Sequence, residues 1–451
     1  MNNQEAIRDA RTLGLPKMLL LGVQHMFAMF GATILVPIIV SSQYGLPLNI
    51  QTTLFFAGVG TLFFHICSKL RVPAFLGSSF AFLGGFETVS KLDQGIYANM
   101  PAAEKLQYAC GGIVVAGLLY LVLALLVKVV GVHKVMRFLP PVVTGPIIIC
   151  IGLNLAPSAV SNASTCWPLA IIALAVIVVF NIWGKGMLKI IPILLGVVVA
   201  YVAALIMNAA GVTTADGQSL LNFAAVADAG WIGLPPFQFA KFDLSAILVM
   251  APIAIAAMME HIGDMSAISA TVGENFIEDP GLHRTLIGDG LATTLSAMFG
   301  GPANTTYGEN TGVLVLSRVY DPNVIRLAAI YAVVLGFIPK MAEIIGSMPS
   351  AIVGGVSFML YGMISAIGVR NIVENKVDFT NSRNLIIAAV ILVCGLGFSG
   401  GLTFEVGGAS ITLTSLAIAA IAGILLNAIL PGNDYEFGVN QSGDQNRGIH
   451  P

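Results

Sequence analysis

The sequence predicts an all-α polytopic membrane protein in which fourteen transmembrane segments form a 7+7 inverted repeat, and three observations carry that prediction. The first is composition. Of 451 residues, 57% are hydrophobic and only 10% charged, with a mean hydropathy of +0.89, whereas a soluble domain carries about 25% charge. The second is that apolar stretches of roughly the 20 residues needed to cross a bilayer recur along the chain. The third is that two further stretches are interrupted, at corresponding places, by residues that a lipid-facing helix does not tolerate. A net charge of −2 offers no basic surface for nucleic acid, so no nucleic-acid partner is expected.

Taken in order, uninterrupted apolar stretches fall near 16–40, 48–69, 107–130, 138–157, 166–184, 187–209, 244–268, 285–300, 325–345, 349–369, 384–399 and 409–430. The opening residues, MNNQEAIRDARTLGLPK, lack the apolar region and cleavage site of a signal peptide. The long loop near 210–243 carries Trp231, Pro235, Pro236, Phe237 and Phe239, aromatic and turn residues expected at a membrane interface. From Pro431 the chain is rich in Asn, Gly and Gln and reads as a disordered tail. Cys67, Cys110, Cys150, Cys166 and Cys394 have no metal-type spacing and read as small buried hydrophobes.

The two broken segments, 73–91 and 302–317, complete the fourteen. The second reads PANTTYGENTGVLVLS. Pro302 and Gly308 break helices and Thr305 and Thr306 are β-branched. Glu309, if ionised near the bilayer centre, costs roughly 2.5–3.5 kcal/mol or more. Such backbone survives only where protein covers it or where it lines a polar cavity. Glu309 is therefore expected at the N-terminus of a short half-helix beside a binding site. The first break, PAFLGSSF from Pro73, matches it at an offset of 229 residues, which sets Phe80 opposite Glu309 and Ala28-Met29 opposite Ala257-Met258. A second echo, LPPVVTG from Leu139 against MPSAIVG from Met348, has an offset of 209. Paired interrupted segments in two halves are the sequence mark of a secondary transporter.

Charge sets the orientation. With the N-terminus inside, 17 Lys and Arg residues fall in inner segments, and only Lys91, Lys105, Lys241 and Lys340 fall in outer ones. Both termini are thus expected in the cytoplasm of a multi-pass plasma-membrane protein. The two breaks are segments 3 and 10, and an offset of seven segments, being odd, means that the halves are inverted.

Besides Glu309, the acidic residues embedded in apolar sequence are Glu260 and Asp264, in AAMMEHIGDMSA. Four residues apart, they share one helical face, with His261 turned away by about 100°. Two carboxylates on one face do not both ionise cheaply, which suits a proton as coupling ion, carried among Glu260, Asp264 and Glu309. The alternative is an acidic pair solvated near a helix end. Free N–H groups at the half-helix starts, near Phe80 and Gly308, are donors to a carbonyl. Donors beside acceptor carboxylates describe the edge of an imide or ureide. A flat nucleobase fits, with Phe80 or Tyr307 offering an aromatic face. Gln24 and His25 either contact such a site or tie helices together. Asp289 is expected to bond a neighbouring helix, and His65 to lie at the interface. No HExxH motif is present and the six histidines are scattered, so no enzyme chemistry and no metal or organic cofactor is expected.

These motifs, QHMFAMFGATILVP, PAFLGSSFAF, EHIGD, EDPGLHR and NTTYGENTG, resemble the nucleobase–ascorbate transporter (nucleobase:cation symporter-2) family, and its uracil-carrying branch in particular, over nearly the whole chain. The family signature appears as Glu309, Asn310, Thr311 and Gly312, then four residues, Ser317 and Arg318, with Ser317 where Thr is usual. The resemblance implies a core domain from 1–130 (segments 1–4) and 244–346 (segments 8–11), and a gate domain from 131–243 (segments 5–7) and 347–430 (segments 12–14), with 431–451 as a cytoplasmic tail. It implies short antiparallel strands in segments 3 and 10. It further implies that Glu260 and Glu309 bind the uracil ring and that N–H groups of Phe80 and Gly308 meet its carbonyls; the residues themselves add Tyr307 as a candidate contact, with Ser79 and Asn310 as candidate supporting residues. Members are proton symporters and commonly homodimers through the gate. Asp264 stands where uracil carriers have His, which leaves the proton-carrying group open.

The expected activity is proton-coupled import of uracil by movement of core against gate. The alternatives are a xanthine, purine or broad-pyrimidine carrier of the same family, and an anion exchanger or channel on the same fold.

Overall fold

The computed structural model describes residues 6–93, 95–185, 187–406 and 409–432. The predicted tail beyond Gly432 lies outside the described residues. The first half of the chain forms α1 (Leu15–Ser42), α2 (Ile50–Cys67), β1 (Leu76–Ser78), α3 (Leu83–Ser90), α4 (Ala102–Val130), α5 (Pro141–Ser164), α6 (Trp167–Trp183) and α7 (Pro192–Ala209). The second half repeats the order. It forms α8 (Leu244–Val272, with a turn at Ala251 and Pro252), α9 (Leu282–Met298), β2 (Asn304–Thr306), α10 (Gly308–Ser317), α11 (Pro322–Gly336), α12 (Pro339–Gly346), α13 (Ser350–Glu374) and α14 (Ser382–Gly397). A hairpin of β3 (Leu402–Val406) and β4 (Ala409–Leu413) then leads into α15 (Ser415–Ile429).

Among the described residues, seven helices (α1, α2, α4, α5, α7, α8 and α13) are long and apolar enough to cross a membrane, or up to eight if the bent α11–α12 pair is one span. Helices α6, α14 and α15 are apolar but shorter. Two predicted spans differ from expectation. The stretch over 325–345 is bent by 86° between α11 and α12, because Pro339 opens α12 and lacks the N–H that would continue α11. The stretch over 409–430 begins as strand β4, and its helix starts only at Ser415, where Thr414 caps the Ala417 N–H.

Helices pack in couples that the two-half arrangement relates. Helix α4 lies along α9 as α2 lies along α11; α6 meets α7 as α14 meets α15; α13 meets α6 as α5 meets α14. The matching elements α5 and α13, α2 and α9, and β1 and β2 meet each other directly. Small residues permit this closeness. A Cβ added at Gly152 on α5 would stand 2.3 Å from the Tyr361 carbonyl oxygen on α13. The most deeply buried side chains, including Met29, Phe75, Leu76, Phe82, Leu83 and Phe86, surround the first break.

The predicted interfacial loop divides. Trp231 is exposed beneath the Lys340 ammonium, 5.2 Å from its ring centroid. Phe237 instead packs edge-on to Phe55, Phe56 and Phe299. His65 departs further from expectation: it is fully buried, with Nε2 2.8 Å from the Ala74 carbonyl oxygen. A ring nitrogen that meets a backbone acceptor needs no interface.

Candidate functional site

The two broken segments meet. Strand β1 pairs antiparallel with β2 in the register Leu76–Thr306, Gly77–Thr305 and Ser78–Asn304. Ser79 N–H to Ala303 O (2.8 Å) and Tyr307 N–H to Phe75 O (2.9 Å) extend the ladder at either end. Each short strand therefore finds for its backbone the partner that lipid cannot supply. Helices on both sides fasten the pair. Thr61 of α2 accepts the Leu76 N–H (2.9 Å), and Ser78 Oγ donates to Thr33 O of α1 (2.8 Å). Thr293 of α9 donates to Asn304 O (2.8 Å), and Asn304 Nδ2 donates to Phe56 O (3.0 Å).

Beyond the strands the chain enters helix on both sides: a 3-10 turn at Phe80–Phe82 leads into α3, and α10 begins at Gly308. Neither start is capped by a side chain, so N–H groups there are open to another acceptor. Glu309 occupies the first turn of α10, as its sequence context predicts. Asp264 of α8 faces this start. Its Oδ2 accepts from Thr306 Oγ1 (2.9 Å), and Oδ1 would lie 3.6 Å from a Cβ placed on Gly308.

These groups line one cavity of about 420 Å³, whose walls include Phe80, Glu260, Asp264, Thr306, Gly308 and Glu309. That volume falls within the roughly 300–1,000 Å³ of small-molecule sites. Tyr307 borders it too, but its hydroxyl is engaged across the strands, donating to Ser78 O (2.9 Å). Its ring covers Gly77, where an added Cβ would approach within 2.4 Å. Glu260 Oε2 and Thr311 Oγ1, both in the cavity wall, are buried without a protein hydrogen-bond partner, as is the nearby Ser79 Oγ. A polar ligand would satisfy such atoms.

The supporting residues sort themselves by contact. Asn310 Nδ2 donates to His25 O (3.0 Å), which ties α10 to α1; Gln24 Oε1 is buried and has no partner. Asp289 reaches a neighbouring helix, as its sequence context predicts, with Oδ2 3.1 Å from His261 Nδ1. That pairing is not visible in the sequence. Nor is Tyr361 of α13, whose ring stands edge-on to Phe80 at 6.1 Å. Phe80 borders both the acidic cavity and a second one of about 980 Å³, lined among others by Gln43, Lys91, Asn154 and Ser158. The acidic cavity continues on its other side past Arg370 and Glu374, at the end of α13. Among the described residues, no group of three or more His, Cys, Asp or Glu is placed to hold a metal ion.

Comparison with known proteins agrees with this architecture. The Xan_ur_permease model, described as "Permease family", matches residues 16–403. A uracil permease of Bacillus caldolyticus is 41% identical over 441 residues, covering 94% of each chain. A uracil permease of Bacillus subtilis (strain 168) is 41% identical over 428 residues, covering 91% of each. Among solved structures, the transmembrane domain of a cyanobacterial bicarbonate transporter, BicA, superposes with a TM-score of 0.62 at 16% identity, covering 92% of this chain and 99% of that one. A likeness at that identity is one of fold alone.

Proposed function

This chain belongs to the Xan_ur_permease family of permeases, a multi-pass membrane protein, and on that premise we propose that it imports uracil together with protons by alternating access. The observation that carries the proposal is the single cavity in which Glu260, Asp264 and Glu309 stand beside the uncapped starts at Phe80 and Gly308. Uracil presents N–H donors and carbonyl acceptors along one planar edge. Carboxylates accept the first and backbone N–H groups donate to the second. Phe80 packs on the ring face, and Tyr307 holds the floor through its bond to Ser78. The relatives named for uracil support that substrate.

The packing of the two related halves supports a cycle of core moving against gate. In this reading segments 1–4 and 8–11 form a core that carries the site, and segments 5–7 and 12–14 form a gate. The fourteen segments run as inverted halves with both termini inside, and two copies associate through their gates. The cavity opens past Arg370, on the side that charge asymmetry assigns to the cytoplasm. Phe80 lines both this cavity and the larger one, and its edge-on contact with Tyr361 is read here as the barrier between them. A proton entering among three clustered carboxylates lowers their mutual repulsion before substrate binds. The acidic wall disfavours anion transport.

The experiment is uptake of labelled uracil into proteoliposomes containing the purified protein, driven by an inward proton gradient, with xanthine, thymine and adenine as competitors. Uracil accumulation that collapses with a protonophore is the expected result. Uptake indifferent to the gradient contradicts the coupling, and xanthine competing better than unlabelled uracil contradicts the substrate.

A further inference from the structure

Behind the acidic cavity lies a pair of ionisable groups that does not line it. His261 of α8 and Asp289 of α9 are both fully buried, with Nδ1 and Oδ2 3.1 Å apart. The opposite ring nitrogen, Nε2, lies 3.1 Å from Thr285 Oγ1, and Thr285 donates its own proton to Leu282 O (3.0 Å). Nε2 therefore faces an acceptor and carries a hydrogen. Nδ1 faces the Asp289 carboxylate and, at 3.5 Å, Thr306 Oγ1, which donates to Asp264 Oδ2 (2.9 Å). A bare lone pair on Nδ1 against an ionised Asp289 would leave two acceptors in contact, with neither Asp289 oxygen hydrogen-bonded elsewhere. A proton between them removes the conflict, whether written as imidazolium and carboxylate or as imidazole and carboxylic acid.

We infer that His261 and Asp289 form a proton store set back from the substrate cavity, joined to it through the Thr306 hydroxyl and Asp264. This rests on the proton-coupled reading above. The transfer balances without another reactant. The His261 Nδ1 proton passes to Thr306 Oγ1 as the Thr306 hydroxyl proton passes to Asp264 Oδ2. Thr306 ends as a hydroxyl, His261 as neutral imidazole and Asp264 as a carboxylic acid, with total charge unchanged. The 3.5 Å link is the longest in the chain, so closing it is the step that small movements of β2 against α8 control. Other titratable groups facing the pair or its outlet are Glu260 on α8, Glu309 on α10 and Tyr120 on α4. Glu260 and Glu309 stand on the cavity side, and Tyr120 lies near Asp289 on the far side. The Phe64 ring closes α8 off edge-on, 6.2 Å from the His261 ring. A store so placed gives Asp264 access to an imidazole on its own helix.

The test reconstitutes wild type, His261→Gln, Asp289→Asn, Thr306→Val and Thr306→Ser in proteoliposomes. Uracil–uracil exchange, protons moved per uracil and the pH profile of net uptake are measured for each. His261→Gln and Asp289→Asn are expected to exchange uracil within about threefold of wild type while protons per uracil fall at least fivefold and the pH profile flattens. Thr306→Val is expected to lose the same ratio, and Thr306→Ser to restore it. Variants that exchange uracil with the wild-type proton ratio and pH profile overturn the store. Loss of exchange and proton movement in equal proportion, at an unchanged ratio, overturns it too, since that marks a purely structural role. A wild type that exchanges no uracil, or moves it without protons, instead counts against the function proposed above.

Discussion

The two breaks share one backbone plan and divide the chemistry between them. Around β1 the side chains are Leu76, Gly77, Ser78, Ser79 and Phe80, none ionisable; around β2 they are Asn304, Thr305, Thr306, Tyr307, Gly308 and Glu309. The first break offers an aromatic face and backbone donors, and the second adds a carboxylate and a hydroxyl that holds Asp264. Neither is half of a site alone. A repeat-built fold keeps the strand pairing because both strands need it, and leaves each side chain free to specialise. Their dependence runs through Gly77, which has room only for hydrogen beneath the Tyr307 ring.

That dependence gives the largest expected effect. Gly77→Leu should abolish folded protein, read as loss of the monodisperse peak in detergent. Gly84→Ala, in the half-helix that follows, should keep it, because an added Cβ there meets nothing within 4 Å. Equal tolerance at both positions would break the picture of two interlocked strands. Next comes Glu260→Ala, expected to reduce uracil uptake at least a hundredfold with the melting temperature little changed. Glu260 faces the cavity with Oε2 unpartnered, so its removal leaves no buried protein donor orphaned.

Tyr307→Phe sharpens the comparison at smaller scale. It deletes the hydroxyl bond to Ser78 O, worth about 0.5–1.5 kcal/mol. A melting-temperature drop with uracil affinity kept within about threefold would assign the residue to bracing. A large affinity loss without destabilisation would return it to the ligand.

Much of this could be read from the sequence and some could not, for a physical reason. Helix-breaking and polar residues inside apolar stretches cost too much to stand without a purpose, so Glu309, the start of α10 and the matching break at Phe80 were legible. Glu260 and Asp264 followed from helical spacing on one helix. The His261–Asp289 contact and the Phe80–Tyr361 contact each depend on how two helices are rotated against each other. Helices that are apolar on every side carry little trace of that rotation. The same blindness put His65 at the interface, when it is buried against Ala74. It also left Tyr307 as a bare aromatic face, when its hydroxyl is already committed to β1.

The smallest effect lies outside the membrane segments, where the loop before α9 contrasts with the buried site. The Lys69 ammonium, hydrogen-bonded to Asp279 at 3.3 Å, and then Arg71 hold the Asp279 carboxyl below its ordinary range. A carboxyl lowered on folding stabilises above its unfolded value of about 3.9, and that contribution fades as pH falls through the folded value. Asp279→Asn should therefore lower the melting temperature slightly at pH 7, with the difference from wild type shrinking below about pH 4. A difference independent of pH would mean that the charge on this exposed loop does nothing for stability.

The central claim is that Glu309, carried by the second break, recognises the ligand whose other side meets the first. Its most direct test is equilibrium binding of uracil to purified wild type and Glu309→Gln across pH 5–8. A charge-assisted hydrogen bond worth about 1.5–3 kcal/mol predicts affinity weaker by about tenfold or more in the variant, with folding intact. Equal uracil affinity in the two proteins at every pH would contradict it.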